Sequence, residues 1–353
     1  MKPKILDFNY GKEAEYKKYL SGQIASHPLY GMIELEKQGY EVEHISMSTS
    51  HGIKGVLENI KLFLNHKSNI VFCSYIYIQP LLGIALLKHF GFCKNRHFIG
   101  VCHAGFHDDL KILDRCLSMF VFKIFDHIFF HSPKNMQEAI CNSRIKTSKM
   151  SILHWGIDLN FLQQHHIQSK IGNYYISTGL EQRDFMTLIH AFENASSILE
   201  IYTNPVNYEN HYNYLEEHIG KNNNINIHLV EKKQYIYINF IRLVAQSYAV
   251  VVPLLINHCY YCLGHTSIVE ALALGKPIIV TENEYHPIDV EKYGVGIKIK
   301  SNAPEEWTKA IEYLALHKDE AEKMSNNAFT LARKMYNITY CANEIAQVIK
   351  LII

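Results

Sequence analysis

The sequence predicts an α/β protein built from two doubly wound parallel-sheet domains, and three observations predict it. Short runs rich in Val, Ile and Phe alternate with helical periodicity, as expected for parallel strands covered on both faces. The alternation occurs twice, with a second series opening at "NYYISTG" (173–179). The chain is 353 residues long and 48% hydrophobic, enough for two cores rather than one.

The elements follow in order. "KILDF" (4–8) is a strand leading into a long polar loop over 9–28, and "LYGMIELEKQGYEVEHIS" gives a helix ending near Gly39 and then a strand. The longest apolar window, 70–92, has the length of a membrane span. Ser74, Gln79 and Pro80 interrupt it, so it divides into a strand (70–78) and a helix (80–90). "HFIGVCH" and "HIFFHS" are further strands, with helical "RCLSMFVFKIF" between them. The polar stretch "LNFLQQHHIQSKIG" (159–172) reads as a linker. Beyond it, "ILEIYTN", "NINIHLVE", "YAVVVPLL" and "PIIVTEN" are strands of the second series, and "DFMTLIHAFENA" is a helix. The expected domains are 1–165 and 166–335, with a terminal helix over 336–353.

Net charge is +1 with Lys and Arg dispersed, which removes the electrostatic footprint of a nucleic-acid binder. Eight cysteines form no framework, and the opening segment lacks a signal peptide's apolar core. A reducing, cytoplasmic setting is the expectation. Peripheral contact with the inner face of a membrane stays open.

Ligands of such sheets bind beyond the carboxyl ends of the strands. "GHTSIVEALALGKPIIVTEN" (264–283) stands there, and it keeps one carboxylate, Glu270, in an apolar run. Thr266 or Ser267 can cap a helix, and Ser267 with Glu270 fits a capping box. Gly275 suits the left-handed position after the helix, and Pro277 prevents continuation. The same residues suit a nucleotide. Small polar residues at a helix N-terminus leave room for phosphate, and Glu270 can accept from two vicinal ribose hydroxyls. "STGLEQRDFMTLIHAF" adds Gly179, which allows close backbone approach, and Arg183 just before a helix. An arginine beside a helix N-terminus suits a diphosphate, although Arg183 next to Asp184 also fits an ordinary ion pair.

These segments resemble the nucleotide-sugar-dependent glycosyltransferases of the GT-B fold, particularly the retaining family 4 (group 1) type. "ILHWGIDLNFL" (152–162) looks like the family's element at the end of the first domain, and 264–283 looks like its donor-binding block. The resemblance implies two Rossmann-like domains facing a central cleft. Residues 1–165 would be the acceptor domain, 166–335 the donor domain, and 336–353 a helix returning to the first. It implies donor binding by Gly179, Arg183, Gly264, His265, Thr266, Ser267 and Glu270, and catalytic contact by His103 and Arg183. It implies no metal or other cofactor, because this fold class stabilises the leaving diphosphate with Arg or Lys and helix dipoles. Two positions depart from the family pattern: Cys262 stands where a first glutamate is common, and Leu180 where an arginine follows the loop glycine.

In the first domain, His27, Tyr30 and Gly31 are candidate acceptor-binding residues at the entry to a helix, and helix-entry packing accounts for them equally. His103 and His107, with Asp108 and Asp109, have a spacing that raises a metal site, without the helix signature such a site needs. "HCYYC" (258–262) has Cys-x-x-Cys spacing but no partner pair.

The function expected is transfer of a sugar from a nucleotide-sugar donor to a glycan, lipid-linked glycan or small acceptor, as in polysaccharide biosynthesis, with retention of anomeric configuration. The alternatives are a non-catalytic GT-B subunit that binds or stabilises a partner transferase, for which Cys262 and Leu180 speak, and a sugar-nucleotide epimerase, whose acid/base set is not found.

Overall fold

The computed structural model describes residues 2–103, 112–179, 182–204, 209–230, 236–255, 261–300 and 302–353, the side chains of 209–212 excepted. It divides into two units, Met1–Trp155 with Ile338–Ile353, and Gly156–Asn337. The division falls at Trp155/Gly156, ten residues before the expected boundary, and the terminal helix belongs to the first unit.

The first unit holds a six-stranded, all-parallel sheet of order β2-β1-β3-β4-β5-β6. Its strands are β1 (Lys4–Asn9), β2 (Glu41–Ser46), β3 (Ile70–Cys73), β4 (His97–Cys102), β5 (His127–Phe130) and β6 (Met150–Ile152). Its helices are α1 (Lys12–Leu20), α2 (Met32–Lys37), α3 (Gly52–Asn65), α4 (Ile78–His89), α5 (Ile112–Phe122) and α6 (Pro133–Asn142). Phe8, Val71, Phe98, Phe125 and Phe130 are fully buried members of its core. Residues 9–28, read as a polar loop, contain α1. Lys12 is the one buried residue of that helix, so it shows no apolar stripe.

The second unit opens with α7 (Leu159–Gln164), where a linker was expected. Asp158 explains the helix, since its carboxylate accepts from the Phe161 N–H at 3.0 Å. Gly156 is needed beside it, because a Cβ there would stand 2.0 Å from the Tyr336 carbonyl carbon. The "WGIDLNF" signature is thus a close crossing followed by a capped helix.

The second sheet is also six-stranded and parallel, of order β12-β11-β10-β7-β8-β9. The strands are β7 (Tyr174–Thr178), β8 (Ile198–Thr203), β9 (Ile225–Leu229), β10 (Ala249–Val252), β11 (Ile278–Thr281) and β12 (Gly296–Ile299). The helices are α8 (Phe185–Glu193), α9 (Glu209–His218), α10 (Tyr237–Ala245), α11 (His265–Ala273), α12 (Pro304–Leu316) and α13 (Lys318–Lys334). Phe192, Leu199, Val251 and Trp307 lie in its core. Numbered from its own first strand, the order is that of the dinucleotide-binding Rossmann sheet, and its direction reverses between β7 and β10. The last helix, α14 (Ile338–Ile352), packs against α2 in the first unit. Among the described residues, no helix is long and apolar enough to cross a membrane.

Candidate functional site

Chain direction diverges from β7 and β10, and this opens a crevice beyond their carboxyl ends. The loop after β7 is stitched to the end of β10. Asp184 N–H donates to the Pro253 carbonyl at 3.1 Å, and Leu255 N–H to the Gln182 carbonyl at 2.9 Å. Arg183 pairs with Leu254 in an isolated antiparallel bridge. Asp184 is no exposed ion-pair partner: it caps α8, accepting from the Thr187 N–H at 3.1 Å. These backbone contacts aim the Arg183 side chain into the crevice, where it is 8% exposed. Its Nε donates to the Thr178 carbonyl at 3.3 Å and its Nη2 to Ser267 Oγ at 3.2 Å.

Gly179 makes that course available. Its φ is +122°, and a Cβ there would fall 2.4 Å from Arg183 Nη2.

After β10, α11 starts from Gly264 in the left-handed conformation at φ +75°, with no side-chain cap. A Cβ on Gly264 would lie 2.9 Å from Val252 Cγ1. The expected capping by Thr266 or Ser267, and the Ser267–Glu270 capping box, are therefore corrected. Ser267 is already the third helical residue, and its hydroxyl turns to Thr178 and Arg183. His265 and Ser267 are buried and Thr266 is exposed. Gly275 takes the left-handed position after α11 at φ +58°, with Lys276 N–H donating to the Ala271 carbonyl at 2.8 Å.

Glu270, one turn into α11, is 3% exposed. Burial pushes its carboxyl up to about 8, against the opposing pull of a Tyr237 hydrogen bond and the Arg183 charge. Tyr237, on α10, is a site residue that sequence reasoning missed, since nothing local marks it among 23 tyrosines. The His265 ring lies 5.3 Å from that of His286, whose pKa burial lowers to about 4. Burial raises the Cys262 thiol to about 12, so it stays protonated and unreactive at neutral pH. Its sequence partner Cys259 lies outside the described residues, as does Leu180.

The first sheet reverses direction between β1 and β3. Asn9 ties the two strand ends together, its Nδ2 donating to Ser74 Oγ and the Tyr75 carbonyl, each at 3.1 Å. His103, just past β4, lies 3.0 Å through Nε2 from the Ser74 carbonyl. A carbonyl only accepts, so Nε2 carries the proton and Nδ1 keeps its lone pair. Tyr75 stacks on this ring at 4.7 Å, and the Tyr30 hydroxyl is 3.3 Å from Nε2. Burial lowers the His103 pKa to about 4, so the ring is neutral at physiological pH.

Tyr30 and His103 are thus brought together. His27 and Gly31 are placed in packing: the His27 carbonyl accepts from Trp155 Nε1 at 3.0 Å, and a Cβ on Gly31 would press on Ala342 at 3.0 Å. His107, Asp108 and Asp109 lie outside the described residues. Among the described residues, no group of three or more His, Cys, Asp or Glu side chains is placed to hold a metal ion.

Residues 209–330, within the second unit, match the family model for glycosyl transferases group 1. No curated protein matches the sequence. Among solved structures, Anabaena HepE in complex with UDP and glucose superposes with a TM-score of 0.69 at 14% identity, covering 99% of this chain and 100% of that one. Sucrose-phosphate synthase from Thermosynechococcus elongatus gives 0.70 at 12% identity, with 99% of each chain covered. A glycosyltransferase from Rickettsia africae gives 0.70 at 15%, covering 99% of this chain and 98% of that one. The chain has the GT-B glycosyltransferase fold. The segment of the second unit that matches this family model includes α11 and Glu270.

Proposed function

We propose that the protein is a nucleotide-sugar-dependent glycosyltransferase whose donor sits at the β7/β10 crevice. The observation that carries this reading is convergence: Arg183, Gly179, the N-terminus of α11 and Glu270 meet where the second sheet reverses. Arg183 and the first-turn N–H groups of α11 receive the diphosphate, and their fixed positive charge favours its departure with the bonding electrons. Glu270, once ionised, accepts from the ribose hydroxyls. No metal is needed for that step. In the first unit, His103 and Tyr30 contact the acceptor, with His27 and Gly31 holding the turn behind them.

Transfer proceeds with retention to a glycan, lipid-linked glycan or small acceptor. On this reading the protein works in the cytoplasm, where thiols such as Cys73, Cys93 and Cys341 stay reduced. The GT-B neighbour crystallised with UDP and glucose makes UDP the first nucleotide to try.

The test is thermal unfolding with UDP, GDP, ADP, dTDP and CMP, repeated on Arg183→Ala and Glu270→Ala. A ligand at about 100 times its Kd adds roughly 2.7 kcal/mol, a rise of several degrees. One nucleotide should stabilise the wild type and should stabilise each variant clearly less. Turnover of the matching nucleotide-sugar then separates an enzyme from a subunit that binds nucleotide without chemistry. No shift with any nucleotide, in a protein that unfolds cooperatively, would overturn the donor-site assignment.

A further inference from the structure

On its neighbouring helices α3 and α4 the first unit carries an apolar face that its own core does not use. Ile53, Leu57, Ile60 and Leu64 follow one another on α3 at helical spacing, and together they form one stripe. The opposite side of α3, with Gly55, Asn59 and Phe63, is the side that is buried. Ile53 is 79% exposed, and Leu57 and Leu64 also stand in solvent. On the neighbouring helix α4, Gly83 lets Val56 and Ile60 of α3 approach closely. The outer side of α4 then continues the apolar surface through Leu86 to Phe90 and Phe92, which flank the left-handed Gly91 and are 76% and 77% exposed.

Charge on this surface is one-sided. Between residues 51 and 96 the sequence has Lys54, Lys61, Lys67, Lys88, Lys94 and Arg96 against the single acid Glu58, in a chain with 35 basic and 34 acidic residues overall. Lys88 and Arg96 turn inward, Arg96 to the carbonyls of Phe63 and His66 at 2.9 and 2.7 Å. Lys54, Lys61, Lys67 and Lys94 remain exposed beside the apolar residues. Glu58 accepts from the Ser48 hydroxyl and forms a loose exposed pair with Lys54 at 3.9 Å, which among the described residues leaves Lys61, Lys67 and Lys94 without an acid on this face.

We infer that the α3–α4 face docks on an anionic lipid surface. Aliphatic and phenyl side chains without hydrogen-bonding groups suit the acyl boundary, and lysines beside them suit lipid phosphates. A protein partner fits less well, because lysine is depleted at protein interfaces. Docking is peripheral and reversible, at the level of side chains rather than a spanning helix. It does not depend on the donor-site assignment.

Co-sedimentation of the full chain with vesicles tests it, using phosphatidylcholine alone and with about a third phosphatidylglycerol. The wild type should pellet with the anionic vesicles and bind them at least roughly tenfold more weakly in about 0.5 M salt. Phe90→Ser/Phe92→Ser and Lys54→Glu/Lys61→Glu should each lose most of that binding while keeping the wild-type unfolding midpoint within a few degrees. Wild type left in the supernatant would overturn the proposal, and so would binding that both folded variants retain. A dimer in size-exclusion chromatography that the Phe90/Phe92 variant abolishes, without vesicle binding, would assign the face to a second copy instead.

Discussion

Ser267 Oγ accepts a hydrogen bond from Arg183 Nη2 at 3.2 Å and gives its own proton to the Thr178 carbonyl at 3.2 Å, with Thr178 Oγ1 a further donor at 3.3 Å. A hydroxyl has one proton and two lone pairs, so Ser267 is saturated by these three partners. It holds the guanidinium against the end of β7, so at the proposed donor site contact with phosphate would fall to Arg183 and the helix N–H groups.

Removing the strut should therefore weaken binding through Arg183. Ser267→Ala is expected to lose about 1–1.5 kcal/mol of nucleoside diphosphate affinity, and Arg183→Ala about 1.5–3 kcal/mol. The double variant should bind no worse than Arg183→Ala alone, since the serine acts through the arginine. Isothermal titration of the three variants decides it. Additive losses would mean that Ser267 touches the ligand itself.

Gly179 is constrained twice, by its φ of +122° and by the guanidinium a Cβ would strike. Gly179→Ala is expected to cost about 1–3 kcal/mol of stability from the backbone alone. It should also displace Arg183 and abolish the nucleotide-induced thermal shift. Gly220→Ala provides the control: it also has positive φ, +72°, but no heavy atom stands within 4 Å of the new methyl. That variant should lose stability and keep the nucleotide response.

Strands with apolar runs were legible in the sequence because burial on both faces leaves little choice of residue. What escaped it lacked that signature. α1 has no apolar face, the edge strands β6 and β12 are only partly buried and so lack a continuous apolar run, and α7 hides behind its Asp158 cap in polar sequence. At the site, Glu270 and Arg183 stood out locally as polar groups beside apolar runs. Their supports did not, because Ser267 meets Arg183 across 84 residues and Tyr237 reaches Glu270 from another helix. The capping-box reading failed for a related reason. Spacing alone does not show that Gly264 starts the helix three residues before Ser267. The lysines beside the α3–α4 face were hidden by a whole-chain charge of +1.

His103 is expected to be a neutral ring throughout the working range. Burial lowers its pKa to about 4, and Nε2–H faces the Ser74 carbonyl. The proton stays fixed, and the ring offers a hydrogen-bond acceptor at Nδ1 rather than a positive charge. The His103 ring Cε1–H resonance should therefore stay at its neutral position from about pH 5.5 to 8, well above the lowered pKa. His103→Asn, which keeps polar capacity but not the ring, should reduce transfer to acceptor while leaving nucleotide affinity within about twofold, because the proposed nucleotide contacts all come from the second unit. Titration of the ring near pH 6.5 would show the imidazole to be open to solvent.

Glu270 makes stability and binding depend on pH in opposite senses. Its folded pKa of about 8 stands above an unfolded value of 4.5, so between these limits the folded chain holds a proton that the unfolded chain releases. The stability this group contributes is fully present below about 4.5 and lost as pH rises through about 8. Glu270→Gln never ionises, so its midpoint minus that of wild type should be near zero at about pH 5 and rise by several degrees towards pH 8, roughly 1.4 kcal/mol per unit at most. Donor binding is expected to run the other way, because ribose hydroxyls at the proposed site would call for the carboxylate. Ligand then stabilises the ionised form, a proton leaves on binding, and wild-type affinity tightens as pH rises from about 7 to 8, up to tenfold per unit. Calorimetry in buffers of different ionisation enthalpy reads that proton directly. Wild type should release it and Glu270→Gln should not. Equal proton release from both proteins would place the titrating group elsewhere and remove Glu270 from the ribose site.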